Sequence, residues 1–456
     1  MIIGIDDTDS RKGMCTTYLC AVLVDELKKY GGVSTPRLVR LNPCIPYKTR
    51  GNGAVSFEIW VTEGKVEEVK EAVKDRVSEL SELSEEGTNP GVVFIDDNVF
   101  NLNLKLKLKN FYENAVREVL TLEDAYAIIS ELHFDYFGLK NKRGLIGALA
   151  AASFLVLQKN KPDYYDFTYE LMAYRQKERW GKSRFIDETS VWKADAATYP
   201  QTWDTVDVAN NEIVFAPHSP CPVLFGIRGD SVDAIYKTYE LIETEPEERK
   251  KLFVTNQGTD FHLISSYRAC GVVGQSPTAF ETAREKLRDY HSYILDGMVS
   301  SNPRTIEGGH VVFSISLSEE TLGSIECIAY EPTKGFRDII RKLRAGDAVT
   351  VFGSLKKETL NLEKIEVRKL DLVVERNPIC NKCGRTMKSA GLLQGYRCKR
   401  CGTFRADKDR VFVDRELEEG LYEVPPVARR HISKPLIRIR KRMQKEGADK
   451  AVHPSR

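Results

Sequence analysis

The sequence predicts a multidomain α+β protein with a small β-barrel and a metal-binding ribbon in its C-terminal third. Three observations support this prediction. Helical and strand-like segments are mixed over the first 260 residues, alternating strands around one helix follow over about 293–370, and two CxxC pairs come next. Since domains commonly contain about 100 to 200 residues, a chain of 456 residues has room for about three of them.

The composition is that of a globular protein that we expect to be cytoplasmic. Hydrophobic residues make up 42% of the chain, and residues 1–10 contain three acids and no basic residue, which argues against an export signal. The longest apolar run, residues 144–157, is too short to cross about 30 Å of hydrocarbon, so we expect no membrane association. The net charge is only +2, but residues 425–445 carry eight Lys or Arg residues and no acid, which indicates an anionic partner.

The body of the protein is predicted from hydrophobic periodicity. Apolar residues at helical spacing predict helices over residues 16–29, 64–82, 109–118, 122–132, 143–157 and 231–244. Short apolar segments predict strands over residues 2–5, 37–41, 54–61, 167–174, 213–216, 223–227 and 251–255. A mixture of this kind indicates an α/β or α+β body, which we expect to form two domains.

From about residue 293 the pattern changes to alternating strands. Val311, Phe313, Ile315 and Leu317 alternate with more polar neighbours, and the segments SIECIAY, GFRDIIRKLRAG, DAVTVFG and LNLEKIEV follow. Three strands, one helix and two strands in about 75 residues is the order of an OB-fold β-barrel. A generic small β domain is the alternative.

Four cysteines have the spacing of a zinc site. They form a CxxC-x14-CxxC pattern in which each pair can place two thiolates on one tetrahedral ion. The predicted zinc ligands are Cys380, Cys383, Cys398 and Cys401. The site has no place for a substrate, so the zinc is predicted to be structural. The other six cysteines show no disulfide-like framework.

The first strand runs directly into an acidic turn, GIDDTDS. Asp6, Asp7 and Asp9 repel one another, and a hard cation such as Mg²⁺ carrying nucleotide phosphates would neutralise them. The alternative is a solvated turn whose side chains cap the following helix. Thr16 and Thr17 place hydroxyl groups close to this turn, and helix N-capping is the alternative for them.

Two further segments suit phosphate groups. In YKTRGNGA, basic side chains and accessible backbone amides share one loop, and NKRGLIGALAAA places basic residues at the start of an apolar helix, whose N-terminus favours anions. Each signal alone is weak, but together with the acidic turn they predict a nucleotide site that is neither a P-loop nor a kinase glycine-rich loop. The predicted phosphate-binding residues are Lys48, Arg50, Gly51, Asn52, Arg143 and Gly144.

The segment FVTNQGTDFH ends a predicted strand with polar residues. Asn256, Gln257 and Asp260 would form a pocket for a small cationic or amide-bearing substrate. An ordinary turn is the alternative.

The C-terminal segment YEVPPVARRHISKPLIRIRKRMQK combines two prolines with a run of basic residues. Arg429, Arg430, His431 and Lys434 lie on chain that the prolines keep extended, downstream of the predicted barrel and ribbon. We interpret the segment as a nucleic-acid contact, with a solvated tail as the alternative.

Seven motifs occur in an order that resembles a known family. They are GIDDTDS, GMCTTY, RLNPCIPYKTRGNGAV, RGLIGALAA, TNQGTD, the paired CxxC and VPPVARRHISKP. Taken together, and covering nearly the whole chain, they resemble the archaeal 2-agmatinylcytidine synthetases of the minor isoleucine tRNA. Residues 270–292 and the chain past residue 445 match none of these motifs, which leaves a domain boundary between residues 265 and 295 open.

The resemblance implies a reaction and a domain order. The family uses ATP to attach agmatine to the 2-carbonyl carbon of the wobble cytidine in a CAU anticodon, so that the tRNA reads AUA and not AUG. The implied domains are an atypical kinase-like ATP-binding domain over 1–200, a ferredoxin-like domain over 201–290, an OB-fold over 291–375, a zinc ribbon over 376–415 and a basic C-terminal tail over 416–456. No obligate protein partner is evident.

The resemblance also implies roles for individual residues. Asp6, Asp7 and Asp9 would bind Mg²⁺-ATP, and the autophosphorylated threonine of the GMCTT segment maps best to Thr16, with its neighbour Thr17 as the alternative. Agmatine carries a guanidinium, for which a carboxylate is the natural partner, and Asp260 is our candidate on chemical grounds alone.

Two other functions stay open at this point. A non-catalytic single-strand nucleic-acid binder would use only the barrel, ribbon and tail, with the α/β body as a scaffold. Another nucleotidyl or phosphoryl transferase, acting on RNA ends, would keep the ATP site and need no agmatine.

Overall fold

The computed structural model describes residues 1–48, 51–96, 102–160, 165–265, 287–317, 323–446 and 451–456. In this part of the chain, large clusters of buried apolar side chains lie on both faces of an N-terminal sheet, a third fills a barrel, and a smaller one lies at one end of the sheet. None of the helices described is long and apolar enough to cross a membrane.

The first 265 residues contain most of the strands and helices. The strands are β1 (Ile2–Asp6), β2 (Gly31–Val33), β3 (Arg37–Arg40), β4 (Gly53–Val61), β5 (Gly91–Ile95), β6 (Asp135–Gly138), β7 (Thr168–Arg175), β8 (Thr202–Trp203), β9 (Val206–Asp207), β10 (Glu212–Ile213), β11 (Val223–Gly229), β12 (Glu247–Thr255) and β13 (Leu263–Ser265). The helices are α1 (Thr16–Glu26), α2 (Val66–Leu80), α3 (Leu102–Arg117), α4 (Leu122–Glu131), α5 (Leu145–Asn160), α6 (Glu188–Thr198) and α7 (Val232–Leu241).

Ten of these strands form one sheet. Its order is β6–β5–β1–β4–β3–β12–β7–β11–β8, with β2 paired to β4. The β3–β12 pair is parallel and joins the two halves of the sheet, whereas the neighbours on either side are antiparallel. A single sheet therefore continues from the region predicted to bind nucleotide into the region that carries the TNQGTD segment.

The alternation of side chains along β1 separates the two layers of helices. Ile3 and Ile5 belong to the apolar cluster that contains α1 and α2, while Ile2 belongs to the cluster that contains α3 and α5. Strand β1 thus lies inside the sheet, between β5 and β4, with helices on both faces. Its last residue, Asp6, is carried to the edge of this three-layer structure.

Most of the helices and strands predicted from the sequence are present, and a few differ in position or were not predicted. Strand β5 was not predicted, because its five residues are all buried and so show no alternation. Helix α6 was also missed, and α3 begins at Leu102, seven residues before its predicted start. The predicted strand over 213–216 is reduced to β10, a two-residue strand paired with β9.

A closed five-stranded barrel follows. Its elements are β14 (Ser292–Val299), β16 (Val311–Ser316), β17 (Ser324–Ala329), α8 (Phe336–Arg341), β18 (Ala348–Lys356) and β19 (Thr359–Lys369), with the short β15 (Arg304–Thr305) beside β16. The pairs β14–β16, β16–β17, β17–β19, β19–β18 and β18–β14 close the ring. The predicted order of three strands, one helix and two strands is confirmed.

The ribbon is built from short hairpins. Strands β20 (Val373–Arg376) and β24 (Asp409–Phe412) form one pair, and β21 (Lys388–Ser389), β22 (Tyr396–Arg397) and β23 (Phe404–Arg405) form a three-stranded sheet. Such small sheets bury few apolar side chains, so a bound metal is the expected source of their stability.

The C-terminal segment is folded. Strand β25 (Gly420–Glu423) pairs with β19 of the barrel, β26 (Val452–His453) pairs with β25, and α9 (Leu436–Glu446) lies between them in sequence. The chain between β25 and α9 crosses the TNQGTD turn, where the backbone amide of Gly258 donates to the carbonyl of His431 at 2.9 Å. The basic segment therefore runs between the body and the barrel.

Candidate active site and family of the chain

The acidic turn lies at the carboxyl end of β1 and leads into α1. Asp7 has φ of 59°, and Met14, near the other end of the loop, has φ of 60°. This left-handed backbone is unusual for residues other than glycine, and it turns the chain back on itself between strand and helix. Such conformations cluster at functional sites, which draws attention to the carboxylates that this turn carries.

The start of α5 approaches β1 very closely. A Cβ atom on Gly4 would lie 2.0 Å from the carbonyl oxygen of Ala148, and one on Gly147 would lie 1.9 Å from Asp6 Oδ2. One on Gly144 would lie 2.5 Å from the carbonyl oxygen of Asp6. Only glycine allows this contact, so the glycines of RGLIG place the first turn of α5 directly against the acidic turn.

These segments line one open cleft. It brings together the acidic turn, the YKTRGNG loop and the start of α5, as the phosphate-site prediction required, and the end of α3 adds a largely apolar wall. Its described lining residues are Asp6, Asp7, Asp9, Leu41, Asn42, Ile45, Tyr47, Lys48, Gly51, Asn52, Gly53, Ala115, Glu118, Val119, Leu120, Arg143, Gly144, Ile146 and Gly147.

Negative charge exceeds positive charge in this lining. Among the described lining residues, four carboxylates face two cations, Arg143 and Lys48. Burial, followed by repulsion from Asp7, raises the pKa of Asp6 well above its usual value. Burial raises the pKa of Asp7 to about 6, with the Arg143 guanidinium opposing the shift and Asp9 adding to it. The acidic turn is therefore short of positive charge, which is the condition that favours a bound cation.

Arg143 links the turn to the cleft. Its Nη2 donates to Asp7 Oδ2 at 3.1 Å and to the carbonyl oxygen of Gly87 at 3.0 Å, and its guanidinium carbon lies 5.4 Å from the centre of the Tyr47 ring. Tyr47 is 60% exposed. This aromatic ring was not predicted as a site residue, although it lies inside the quoted loop beside Lys48.

The loop over 42–53 has partly internal contacts. Lys48 Nζ donates to the carbonyl oxygen of Pro43, and burial together with Arg430 lowers the pKa of Lys48. Asn52 Nδ2 donates to the carbonyl oxygen of Asn42 at 2.9 Å, so this side chain shapes the loop. Gly51 lines the cleft as predicted, whereas Arg50 lies outside the described residues.

Thr16 lies beside the acidic turn at the first residue of α1. Its hydroxyl accepts from the Thr8 hydroxyl at 3.0 Å, and both side chains are buried. The N-cap is Cys15, so neither Thr16 nor Thr17 caps the helix. Thr17 lies 3.0 Å from the Cys15 sulfur. The structure therefore leaves the Thr16 hydroxyl next to the turn without a capping role.

The three residues of the TNQGTD segment that were predicted to bind a small substrate, Asn256, Gln257 and Asp260, all make contacts within the protein. Asn256 exchanges hydrogen bonds with the backbone of Arg40, and so extends the pairing of β12 with β3. Gln257 donates to the buried carboxylate of Glu170. Asp260 Oδ1 lies 2.6 Å from Lys364 Nζ of the barrel and accepts from the backbone amide of Lys434 at 2.7 Å.

The basic residues predicted to bind nucleic acid lie in the interface between body and barrel. Arg429 is buried and pairs with Asp204 and, at 2.7 Å, with Glu423. Arg430 lies 3.1 Å from Glu363 and Lys434 lies 2.6 Å from Asp166. Burial lowers the pKa of His431 well below its usual value, so this ring is neutral.

The four cysteines meet at one point. Their sulfur atoms all lie within 4.8 Å of one another, as a tetrahedral zinc site requires. The two knuckles repeat the same turn: the amide of Gly384 donates to the carbonyl of Cys380 at 2.9 Å, and that of Gly402 to Cys398 at 2.8 Å. The zinc-site geometry predicted from the spacing is confirmed.

Sequence reasoning missed two groups of polar residues. Glu118 follows α3 and lines the cleft, where it also contacts His291 at 2.7 Å. Glu170 is buried between Arg228, at 3.0 Å, and Arg40, at 3.9 Å. No local motif marks any of them, because each is brought to its position by a strand or helix that is distant in sequence.

Comparison with known proteins identifies the relatives of the chain. Models of the TiaS TCKD domain, the TiaS FLD domain and the TiaS C-terminal zinc ribbon domain match residues 2–69, 142–262 and 377–417. The tRNA(Ile2) 2-agmatinylcytidine synthetase TiaS of Methanosarcina mazei is 50% identical over 97% of this chain and 98% of that protein.

Solved structures agree along nearly the whole chain. The crystal structure of the TiaS–tRNA(Ile2)–ATP complex matches with a TM-score of 0.81 and 47% identity over 96% of this chain and 97% of that one. The TiaS–tRNA(Ile2)–AMPCPP–agmatine complex matches with a TM-score of 0.79 and 45% identity over 96% of each chain. The chain therefore belongs to the family of tRNA(Ile2) 2-agmatinylcytidine synthetases.

Proposed function

We propose that this chain uses ATP to join agmatine to carbon 2 of the wobble cytidine in the CAU anticodon of tRNA(Ile2). The observation that carries the proposal is the cleft in which four carboxylates face Arg143 and Lys48 beside the start of α5. Family membership supports it, since relatives have been crystallised with tRNA(Ile2), ATP and agmatine. A non-catalytic binder would have no use for such a cleft.

Magnesium fits the acidic turn. Asp6, Asp7 and Asp9 offer the oxygen ligands that Mg²⁺ prefers, and the raised pKa values of Asp6 and Asp7 indicate that burial and mutual repulsion outweigh the attraction of Arg143. These three residues would hold the ion. When bound, it would neutralise charge on the phosphates of ATP.

The phosphates of ATP would lie between the acidic turn and α5. The start of α5 lines the cleft at Gly144, Ile146 and Gly147, where the helix dipole favours anions. Arg143 and Lys48 would add positive charge, and Gly51 and Asn52 would let the backbone come close. We also propose Arg50 as an ATP-binding residue, on the basis of the sequence alone.

The chemistry explains the need for ATP. A cytosine carbonyl is a poor electrophile, and phosphorylation of its oxygen creates a leaving group. The neutral primary amine of agmatine then attacks carbon 2, a C–N bond forms, the C–O bond breaks, and phosphate and one proton are released. Arg143 would stabilise the charge that develops on the transferred group.

Thr16 is the proposed site of autophosphorylation. Its hydroxyl lies beside Thr8 at the end of the acidic turn, close to where the terminal phosphate of ATP would be held. Whether phosphothreonine is an intermediate or a regulatory mark is decided by its turnover, because an intermediate must form and decay as fast as product appears.

Asn256, Gln257 and Asp260 are the proposed agmatine contacts. A guanidinium binds best to a carboxylate that accepts two hydrogen bonds. Both contacts of Asp260, with Lys364 and with the Lys434 amide, use Oδ1, so a guanidinium that binds both carboxylate oxygens would displace one of them. The proposal therefore requires a local rearrangement at the interface of body and barrel.

We propose that the barrel is an OB-fold that contributes to tRNA binding. Its ring order, with α8 between the third and fourth strands, supports this assignment. Arg429, Arg430, His431 and Lys434 stay proposed tRNA contacts, although their present ion pairs favour a role in holding the barrel against the body. We also propose the domain limits that the resemblance implies.

One assay tests the proposed function. Labelled agmatine, ATP and Mg²⁺ are incubated with a CAU-anticodon tRNA transcript, and we expect label to enter the RNA with wild-type protein and not with Asp7→Asn. Asp75→Asn, an exposed carboxylate on α2, is the matched control and should keep full activity. ATP consumption with RNA alone would favour a different phosphoryl transferase, and no RNA-linked label or ATP consumption would favour a binding protein.

A further inference from the structure

The tip of the ribbon exposes apolar side chains in a strongly basic setting. Leu392 and Leu393 are 92% and 99% exposed, the highest values among the large apolar residues of the described chain. They lie in the turn that joins β21 to β22. Leucine side chains that face water in this way contribute nothing to the ribbon core.

The turn is ordered by its own backbone. The amide of Ala390 donates to the carbonyl of Gly395 at 2.9 Å, and the amide of Gln394 donates to that of Gly391 at 3.2 Å. Leu393 adopts φ of 58°, a conformation that glycine or asparagine would accept at lower cost. A bulky apolar residue in this position is a cost to folding, which indicates that its side chain is used elsewhere.

The surrounding charge identifies the class of partner. Residues 376–406 contain eight Lys or Arg residues and no acid. Lys388 and Arg397, which flank the turn, are directly opposite each other on β21 and β22, an arrangement that is destabilising unless an anion lies between them. Both are exposed, and the described structure shows no salt bridge from either.

We propose that this hairpin, residues 388–397, is an RNA-contacting wedge in which Leu392 and Leu393 pack against the face of an unstacked base of the tRNA. Lys388 and Arg397 hold the adjoining phosphates. Apolar side chains of other nucleic-acid-binding proteins act as wedges of this kind, and phosphate contacts fix the position of the wedge. The inference rests on the proposed tRNA substrate and concerns a surface separate from the cleft.

The salt dependence of tRNA affinity distinguishes phosphate contacts from apolar contacts with a base. A phosphate contact contributes to the slope of log Kd against log salt by about 0.7 to 0.9, whereas an apolar contact with a base does not. The test measures the tRNA affinity of the full-length zinc-loaded protein without ATP or agmatine. A loss of catalysis then cannot be confused with a loss of the contact made by the wedge. The double variant Leu392→Ser, Leu393→Ser should weaken binding about tenfold with an unchanged slope, because it removes apolar contact and no charge.

Matched variants complete the test. Lys388→Ala with Arg397→Ala should lower the slope by about 1.4 to 1.8. Phe412→Ser, which removes another exposed apolar side chain of the ribbon, should leave affinity and slope unchanged. Leu393→Gly relieves the backbone conformation, so it should keep zinc at least as well as wild type and still weaken tRNA binding.

The tRNA affinities of the leucine variants decide whether the wedge exists. A Kd within twofold of wild type for the double leucine variant and for Leu393→Gly overturns the proposal and assigns the tip to a protein partner or to no partner. Loss of affinity in Leu393→Gly with full zinc content supports it, because a purely structural leucine would not produce that combination.

Discussion

The acidic turn and the basic segment over 429–438 are opposite cases of the same sequence signal, a run of like charges. In the turn, Asp6 and Asp7 have raised pKa values because burial and mutual repulsion outweigh the single guanidinium of Arg143. In the basic segment, Arg429 is enclosed between two carboxylates, and Arg438 contacts Asp166 and Asp230 at 2.9 and 2.6 Å.

The difference shows how to separate a binding site from a structural contact. Charges that the fold has already matched hold two parts of the protein together, while charges that the fold leaves unmatched need a ligand. By this criterion we propose the turn as the binding site, and the ion pairs of Arg429 and Arg438 support a scaffold role for the basic segment. Four changes test the comparison.

The largest effect is expected on stability, at Arg429. Arg429→Ala leaves Asp204 and Glu423 buried without their partner, which typically costs about 3–5 kcal/mol. We expect a lower unfolding temperature, and a direct tRNA contact by Arg429 would add a loss of tRNA affinity per folded molecule. Arg440→Ala, an exposed cation on α9, is the control and should change stability by no more than about 0.5 kcal/mol. Loss of tRNA affinity without loss of stability would contradict the structural role.

Asp7→Asn should have the opposite signature. Loss of a carboxylate that would hold Mg²⁺-ATP should reduce agmatine incorporation by about 10²–10³-fold, the usual cost of removing one charge-stabilising group. Unfolding temperature in the absence of ligand should stay the same or rise, because a costly buried charge is removed. A variant that is inactive because it unfolds would contradict this interpretation.

The pH dependence of stability follows from the same residue. The pKa of Asp7 is about 6 in the folded protein and near 3.8 when unfolded. The folded state therefore binds a proton between these values, so the Asp7 contribution to stability is present below about pH 4 and is lost as pH rises through 6. Unfolding followed at pH 5 and pH 7.5 should show a shift of about 1–3 kcal/mol in wild type that Asp7→Asn lacks. Mg²⁺-ATP should bind less tightly below pH 6.

The smallest effect is expected at Asp260, which is both a proposed ligand contact and a partner in an ion pair with Lys364. If Asp260 contacts agmatine, Asp260→Asn should raise the KM for agmatine about tenfold and leave the KM for ATP unchanged. The reason is the loss of one charge-assisted hydrogen bond, which contributes about 1.5 kcal/mol. Ser433→Ala, which removes the other partner of Lys364, is the control and should leave both constants unchanged. A fall in stability alone for Asp260→Asn would assign the residue to the interface with Lys364.

Local patterns were sufficient for the parts of the molecule that local chemistry builds. The cysteine spacing predicted the zinc site, because each knuckle is closed by backbone bonds within four residues. Alternation of side chains predicted the barrel strands, because each has one face in the core. The buried strand β5 shows no such alternation and was missed.

The sequence by itself determined which residues carry charge, which turns need glycine and which cysteines share a metal. Only the tertiary structure decided that Arg429 and Arg430 meet carboxylates, that burial and repulsion at Asp6 and Asp7 outweigh Arg143 among the residues that the structure describes, and that Glu118 joins the cleft. The physical reason is that electrostatic matching depends on distances of a few ångströms between segments far apart in the chain, and no local pattern encodes those distances.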